Sequence, residues 1–331
     1  MRIFTNRDAD PALLEGRKLA VIGYGNQGRP QSLNLRDSGL EVLVGARENG
    51  RGWMKAVGDG FRTMTIGGAV SEADVVLLLL PDEVQKDVFD REIKGNLREK
   101  AAVCFAHGFS VAFGGLESPD HDMILVAPKG QGGRLRKAYL EGTGIPCLFA
   151  VANDASGQAE KIALALAHGL GCLRVGAYRT SFREETVSDL FGEQAVLCGG
   201  VPALMKRAFD VLVGHGFSPE VAYFECLHEL EIIVDLVTRR GFSGMRDVIS
   251  GTAAYGSLLY GENLIGEEVG EAMERVFDRI ESGRFARDWL SLTDRGKEEF
   301  IELREKERKL PVEEVGDRIR RMIFDKERSD E

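Results

Sequence analysis

The first half of the chain is built on six short, nearly unbroken apolar runs. They are "KLAVIG" (18–23), "EVLVGA" (41–46), "DVVLLLL" (74–80), "AVCFA" (102–106), "MILVA" (123–127) and "CLFAV" (147–151). Most lack the apolar–polar alternation of a strand with one wet face, so they read as strands buried on both faces. Helix-like stretches of mixed charge lie between the first few. Strand–helix–strand repetition implies right-handed crossovers and a parallel sheet. The expected fold class is therefore α/β, with an N-terminal doubly wound, Rossmann-type parallel sheet over residues 1–181.

After "VGAYRTSF" (175–182) the pattern changes. Helical periodicity dominates, with segments near 183–198, 201–214, 218–240, 267–282 and 296–308. "SPE" (218–220) is a helix start: a Ser cap, Pro in the first helical position, then Glu in the first turn. Residues 182–331 are expected to form an all-helical domain joined tightly to the first. The tail "DKERSDE" (325–331) reads as a charged, frayed end. A length of 331 residues suits two such domains.

Charge narrows the partners. A formal net charge of −10 argues against nucleic acid or an anionic membrane as the main partner. The run "VVLLLL" is far too short to span a bilayer, and "MRIFTNRDAD" has no secretory pattern. The five cysteines contain no C-x-x-C pair. They read as buried free thiols in a reducing compartment, the cytoplasm.

Directly after the first run, Gly23, Gly25 and Gly28 spell G-x-G-x-x-G in "VIGYGNQGRP". A strand precedes the glycines, a helix-like stretch follows, and a second strand comes at the right distance. That setting makes them a dinucleotide turn, with the pyrophosphate received at a helix N-terminus. Arg29 and Pro30 fall where the new helix begins: a missing N–H costs little there, and Arg29 adds a cation near the phosphates. The end of the second strand reads "GARENGRGW". Arg47 and Arg51 there favour a ribose 2′-phosphate and hence NADP(H), although Glu48 leaves NAD(H) open. Pro81, Asp82 and Glu83 end the third strand beside the nicotinamide half of the cleft. His107 and Lys129 close the fourth and fifth strands on the same rim, where proton handling or anion binding is expected.

The helical half carries two acidic pairs at i,i+4 spacing: Asp189 and Glu193 in "SDLFGEQAVL", and Glu225 and Glu229 in "YFECLHELEIIV". Like charges stacked on one helix face repel. Burying them costs several kcal/mol each without partners. Phe224, Leu227, Leu230, Ile232 and Ile233 around the second pair suggest that it is shielded from water. A hard divalent cation removes both problems, and carboxylate oxygens in this number suit Mg2+, in one or two ions. A solvated acidic face is the alternative. His228 reads as a helix-surface residue, and no H-x-x-x-H spacing supports zinc.

Taken together, "VIGYGNQG", "LLLLPDEVQ", "FAHGF", "VAPKG", "EETVSDLFGEQAVLCGG", "AYFECLHEL" and "LPVEEVG" resemble the ketol-acid reductoisomerases of the shorter class, nearly end to end. The resemblance implies conversion of a 2-hydroxy-2-alkyl-3-keto acid of the 2-acetolactate class to a 2,3-dihydroxy acid, in isoleucine and valine biosynthesis. It implies NADP(H) or NAD(H) as hydride source, two Mg2+ ions, and a knotted helical domain in an interlocked homodimer or a larger assembly. Asp189, Glu193, Glu225 and Glu229 match the metal ligands, with the second pair coming from the neighbouring subunit. Ser250 matches the serine that binds the substrate carboxylate. His107, Lys129 and Glu229 match the catalytic groups. Tyr24, Gln27, Pro81, Asp82, Gln85, His107 and Gly133 join the glycines and the two arginines around the cofactor.

Several positions depart from that pattern. Arg29-Pro30 replaces His-Ala, and Gly50 and Gly52 stand where serines often hold the 2′-phosphate. Gln131-Gly132-Gly133 replaces Pro-Gly-His, and Gly251 and Ala254 replace two polar residues beside Ser250. These changes leave open a paralogue acting on another 2-keto acid, or a nucleotide-binding protein without turnover.

Overall fold

The computed structural model describes residues 2–292 and 294–328. Its contacts divide the chain into two units, Met1–Ser188 and Asp189–Glu331. The change of pattern seen in the sequence falls at the start of the helix Phe182–Phe191, and the contact boundary falls inside that helix.

The first unit is a nine-stranded sheet flanked by helices. Its strands are β1 (Ile3–Phe4), β2 (Lys18–Ile22), β3 (Glu41–Gly45), β4 (Arg62–Met64), β5 (Val75–Leu78), β6 (Ala102–Phe105), β7 (Asp122–Pro128), β8 (Cys147–Asn153) and β9 (Ala177–Arg179). Their order is β1-β9-β8-β7-β6-β5-β2-β3-β4. Every apolar run became a strand, for the reason its composition gave. Along β2, Leu19 and Val21 pack into one apolar layer while Ala20 and Ile22 pack into the other. Both faces are dry, so alternation would have been a liability.

Two features differ from the expectation of a purely parallel sheet. First, β8 runs antiparallel to β7, with Pro128 opposite Cys147. The helix Gly132–Leu140 does not complete a crossover. It returns through Gly142 and Gly144, both at positive φ, and the chain re-enters beside the strand end it left, where the Lys129 N–H donates to Pro146 O. Second, β1, β4 and β9 are only two or three residues long, and β1 pairs antiparallel with β9. Segments this short carry too little pattern to show in a sequence.

The topology sets the position of the cleft. From β2 the chain proceeds to β3 and β4 on one side and to β5, β6 and β7 on the other. The turn after β2 therefore lies at the switch point of the sheet, where ligands of open α/β sheets bind.

The second unit is helical, as expected. Gly200–Gly214, Pro219–Tyr223 and Pro311–Arg328 meet around a small core of Phe209, Ala222, Tyr223, Val312, Val315 and Ile319. Ser218 is the N-cap and Pro219 the first residue of its helix, although the Ser218 side chain makes no capping bond. The helices Gly251–Leu264, Arg284–Leu290 and Pro311–Arg328 had not been read from the sequence. Of the tail read as frayed, residues 325–328 continue the last helix, and 329–331 lie outside the described residues.

The thiol expectation needs one correction. Cys104, Cys147 and Cys172 are buried, but Cys226 is half-buried and Cys198 is exposed. No described helix is long and apolar enough to cross a membrane.

Candidate active site

At the carboxyl end of β2 the backbone turns in a way only glycine allows. Gly23 adopts φ +96°, and a Cβ there would lie 2.7 Å from the carbonyl oxygen of Leu79, at the end of β5. A Cβ on Gly28 would lie 2.0 Å from Gly23 O. The helix Gly28–Asp37 starts at that glycine, so Arg29 and Pro30 are its second and third residues. Pro30 cannot donate to Asn26 O. That oxygen instead faces Gly132, whose Cβ, if it had one, would sit 1.8 Å away. The Gln131-Gly132-Gly133 stretch, which opens the helix Gly132–Leu140, is thus seated directly on the fingerprint turn, and the Gln27 side-chain amide donates to Gly130 O at 3.3 Å.

Arg29 does not stand as an isolated cation by the phosphates. Its guanidinium grips Asp59 side-on, Nε to Oδ2 at 2.6 Å and Nη2 to Oδ1 at 2.9 Å. Tyr24, buried within the fingerprint, donates its hydroxyl to the same carboxylate at 2.8 Å.

Arg47 follows β3 and is exposed, as is Arg51, the first residue of the helix Arg51–Gly58. The turn between them is closed by the Gly50 N–H donating to Arg47 O at 3.0 Å. Asn49 takes the left-handed conformation there, φ 57°, which Asn tolerates. Across the rim, Pro81 caps the helix Asp82–Val88. Gln85 is buried, and its amide nitrogen donates to Leu80 O at 2.7 Å and Asp82 Oδ1 at 3.3 Å. Its Oε1 is buried without a hydrogen-bond partner among the described residues.

One residue of this rim was not singled out from the sequence. Glu185, 1% exposed at its side chain, joins the two basic residues. Lys129 Nζ donates to its Oε1 at 2.9 Å, and His107 Nδ1 lies 3.2 Å from its Oε2. The backbone N–H of Gly108 donates to Oε2 at 2.9 Å. Gly108 is needed for this fit: a Cβ would lie 2.5 Å from Thr186 Oγ1 and 2.8 Å from Phe182 O. Burial opposes ionisation of Glu185. The hydrogen bond and charge of His107, and then those of Lys129, outweigh it and hold the carboxyl below its usual range. A fixed carboxylate thus ties the ends of β6 and β7 to one helix and orients both basic side chains. The signal was present in the sequence, since Glu185, Asp189 and Glu193 recur at every fourth residue.

In the second unit the acidic pairs lie where the helices change form. Asp189 is on the helix Phe182–Phe191, and Glu193 is in the π-helical segment Gly192–Leu197. Glu225 is in the π-helical segment Phe224–His228, and Glu229 ends it, with its N–H donating to Phe224 O at 3.2 Å. π-Helical turns are rare and recur at functional sites. The second pair is not shielded, contrary to the expectation. Glu225 and Glu229 are exposed in the single chain, and Ile232 beside them is 60% exposed. Phe224 and Leu227 pack against the small helical core and Leu230 and Ile233 are half-buried, while the two carboxylates face water, so an apolar sequence context did not imply a buried carboxylate. His228 is also exposed, as read. Ser250 is the N-cap of the helix Gly251–Leu264, its hydroxyl accepting from the Ala253 N–H at 3.1 Å.

Comparison with known proteins bears on both units. Residues 13–176 match the family model described as acetohydroxy acid isomeroreductase, NADPH-binding domain. Residues 182–324 match ketol-acid reductoisomerase, C-terminal domain. The chain is 48% identical to a ketol-acid reductoisomerase (NADP(+)) of Pyrobaculum aerophilum, over 98% of this chain and 99% of that protein. It superposes with a TM-score of 0.95 on an NADH-preferring ketol-acid reductoisomerase from an uncultured archaeon, at 43% identity, covering 98% of this chain and 99% of the other. A putative oxidoreductase of Jannaschia shares the fold alone, at 16% identity and a TM-score of 0.60 over 80% of this chain and 97% of the other.

Proposed function

The chain belongs to the ketol-acid reductoisomerase family, and from that membership we propose a Mg2+-dependent rearrangement followed by reduction. A 2-hydroxy-2-alkyl-3-keto acid of the 2-acetolactate class isomerises by alkyl migration. The new ketone then takes a hydride from NADPH on carbon and a proton on oxygen, giving a 2,3-dihydroxy acid for isoleucine and valine biosynthesis. The observation that carries the reading is the buried Glu185 holding His107 and Lys129 at strand ends on the same rim as a glycine-imposed dinucleotide turn.

The donor set fits magnesium. Asp189, Glu193, Glu225 and Glu229 offer only carboxylate oxygens, which hard cations prefer. Mg2+ held by them supplies Lewis-acid polarisation of the substrate's ketone and hydroxyl oxygens. The chain's own groups do the rest. Ser250 and the N-terminus of its helix receive the substrate carboxylate. Glu229 takes the hydroxyl proton released in the migration. Lys129 Nζ, pinned by Glu185, donates toward the substrate oxygen, and His107 is kept in a fixed orientation beside the nicotinamide. The fingerprint glycines, Tyr24 and Gln27 seat the pyrophosphate. Arg47 and Arg51 face the ribose 2′-phosphate, and Pro81, Asp82, Gln85 and Gly133 border the nicotinamide half.

The test is a steady-state assay with 2-acetolactate, Mg2+ and either reduced nicotinamide. Turnover with NADPH is the expected result. NADPH binding without turnover of 2-acetolactate sinks the assignment and favours the specialised-paralogue alternative, for which the changed residues Gly133, Gly251 and Ala254 are the motive.

We also propose that two chains build each site. The helix Gly251–Leu264 leaves Tyr255 70%, Leu258 63% and Leu259 47% exposed, at the i, i+3 and i+4 positions of one face. Contiguous apolar surface of this kind marks an association face. Sedimentation equilibrium at micromolar concentration is expected to give a dimer or a multiple of it. A fully active monomer refutes shared sites.

A further inference from the structure

The contacts around Asp59 point to a device for holding the cofactor-selecting loop. Asp59 closes the helix Arg51–Gly58, and three side chains from the fingerprint and its helix converge on it. Arg29 binds the carboxylate side-on, Tyr24 donates its hydroxyl to Oδ2, and Arg36 donates from Nη1 to the Asp59 carbonyl at 2.7 Å. Phe61 fills the space beneath. Its ring meets Tyr24 edge-on at 5.7 Å and carries the Arg36 guanidinium over its face at 4.6 Å. At the other end of the same helix, Gly52 lies flush against Tyr24, with room for a Cβ only at 3.4 Å from Tyr24 Cβ.

The helix is thus bonded to the fingerprint at its C-terminal end and lies in contact with it near its start. Its start carries Arg51, and the loop before it carries Arg47. We propose that Arg29 and Asp59, with Tyr24, form a clasp that sets where Arg47 and Arg51 stand relative to the pyrophosphate turn, and so tunes the choice between NADPH and NADH. With their charged groups bound to each other, Arg29 and Asp59 act as positioning residues. The clasp matters in this chain because Gly50 and Gly52 supply no side chain to the 2′-phosphate. Discrimination then rests on two long, exposed arginines, whose reach depends on the placement of their backbone.

The opposite charges of the pair give a sharp discriminant. If Arg29 acted directly as a cation on the phosphates, Arg29→Ala would weaken NADPH and Asp59→Ala would strengthen it. A clasp predicts the same sign for both. A double-mutant cycle is measured as KM for NADPH and NADH, with direct cofactor binding followed by quenching of Trp53 fluorescence. On the scale of a partly exposed ion pair, each single change should raise the NADPH KM about fivefold, and the double change should match either single one. The NADH KM should move less than twofold, and kcat should stay within twofold. Multiplicative effects, opposite signs, or equal losses for both cofactors overturn the clasp. Arg29→Lys, which keeps the charge but loses the side-on geometry, covers the case in which the alanine variants fold poorly; it too should weaken NADPH selectively. The inference rests on the assignment of Arg47 and Arg51 to the 2′-phosphate, and Arg47→Ala tests that separately. An unchanged NADPH/NADH ratio in Arg47→Ala removes the assignment, whereas a changed ratio there beside an unchanged one in the cycle removes the clasp alone.

Discussion

Replacing Glu185 by Gln is expected to lower kcat by two to three orders of magnitude, the scale of a misplaced proton-transfer group. The substitution keeps the shape and leaves one amide oxygen to accept from the Gly108 N–H. It removes the charge that Lys129 and His107 share, and it turns an NH2 toward one of them, setting donor against donor. A Glu185 that only braced the fold would tolerate this change in turnover, so a kcat within threefold of the wild type defeats the positioning role. Stability should fall by about 1–3 kcal/mol, less than for a fully buried pair because Lys129 keeps about a third of its side chain in water. The pH dependence has a definite sign. The carboxyl is held below its usual range in the folded protein. Its contribution is therefore fully present above the ordinary carboxylate pKa and is lost as pH falls through the depressed value. Thermal melts of wild type and Glu185→Gln should differ most at neutral pH and converge in acid. Melts that stay equally far apart at low pH count against the ion pair.

The sheet was legible in the sequence because a strand dry on both faces has a composition that little else shares. Its direction was not. The run 147–151 looks the same whether it lies parallel or antiparallel to 123–127, and the connection that returns the chain, through Gly142 and Gly144 at positive φ, carries no directional pattern. The fingerprint was legible down to the role of Pro30. The neutralisation of Arg29 was not, because Asp59 lies thirty residues away with no pattern linking the two. The spacing of the four carboxylates found them without revealing that they lie on or beside π-turns, since i,i+4 places two residues on one face in either helix form. Apolar neighbours were misleading at Glu225 and Glu229. Phe224 and Leu227 turn toward the small helical core while Glu225 and Glu229 face water, so the apolar residues mark the other side of the turn from the carboxylates. Glu185 was missed for the reverse reason. A carboxylate on a charged stretch such as "FREETVSD" looks solvated until the partners that bury it are known.

Glu225→Gln carries the other large expected effect, and it probes the metal and the second chain together. Glu225 is exposed in the isolated chain, so exchanging its charge for an amide should leave monomer stability within about 0.5 kcal/mol. Relief of the like-charge pair with Glu229 offsets part of even that. A large functional loss therefore has to come from ligation. Turnover is expected to fall by at least about a thousandfold, because a neutral amide is a poor substitute for a carboxylate on a hard cation. NADPH binding, which belongs to the other unit, should be unchanged. Retained turnover with unaltered Mg2+ dependence excludes Glu225 as a ligand. If its site is completed by Asp189 of a second copy, then Glu225→Gln and Asp189→Asn chains, each inactive alone, should complement when co-expressed. A mixed dimer places the intact Asp189 of one chain with the intact Glu225 of the other and regains one site of two. Failure of the mixed dimer to recover activity, with both variants folded and dimeric, confines all four carboxylates to a single chain.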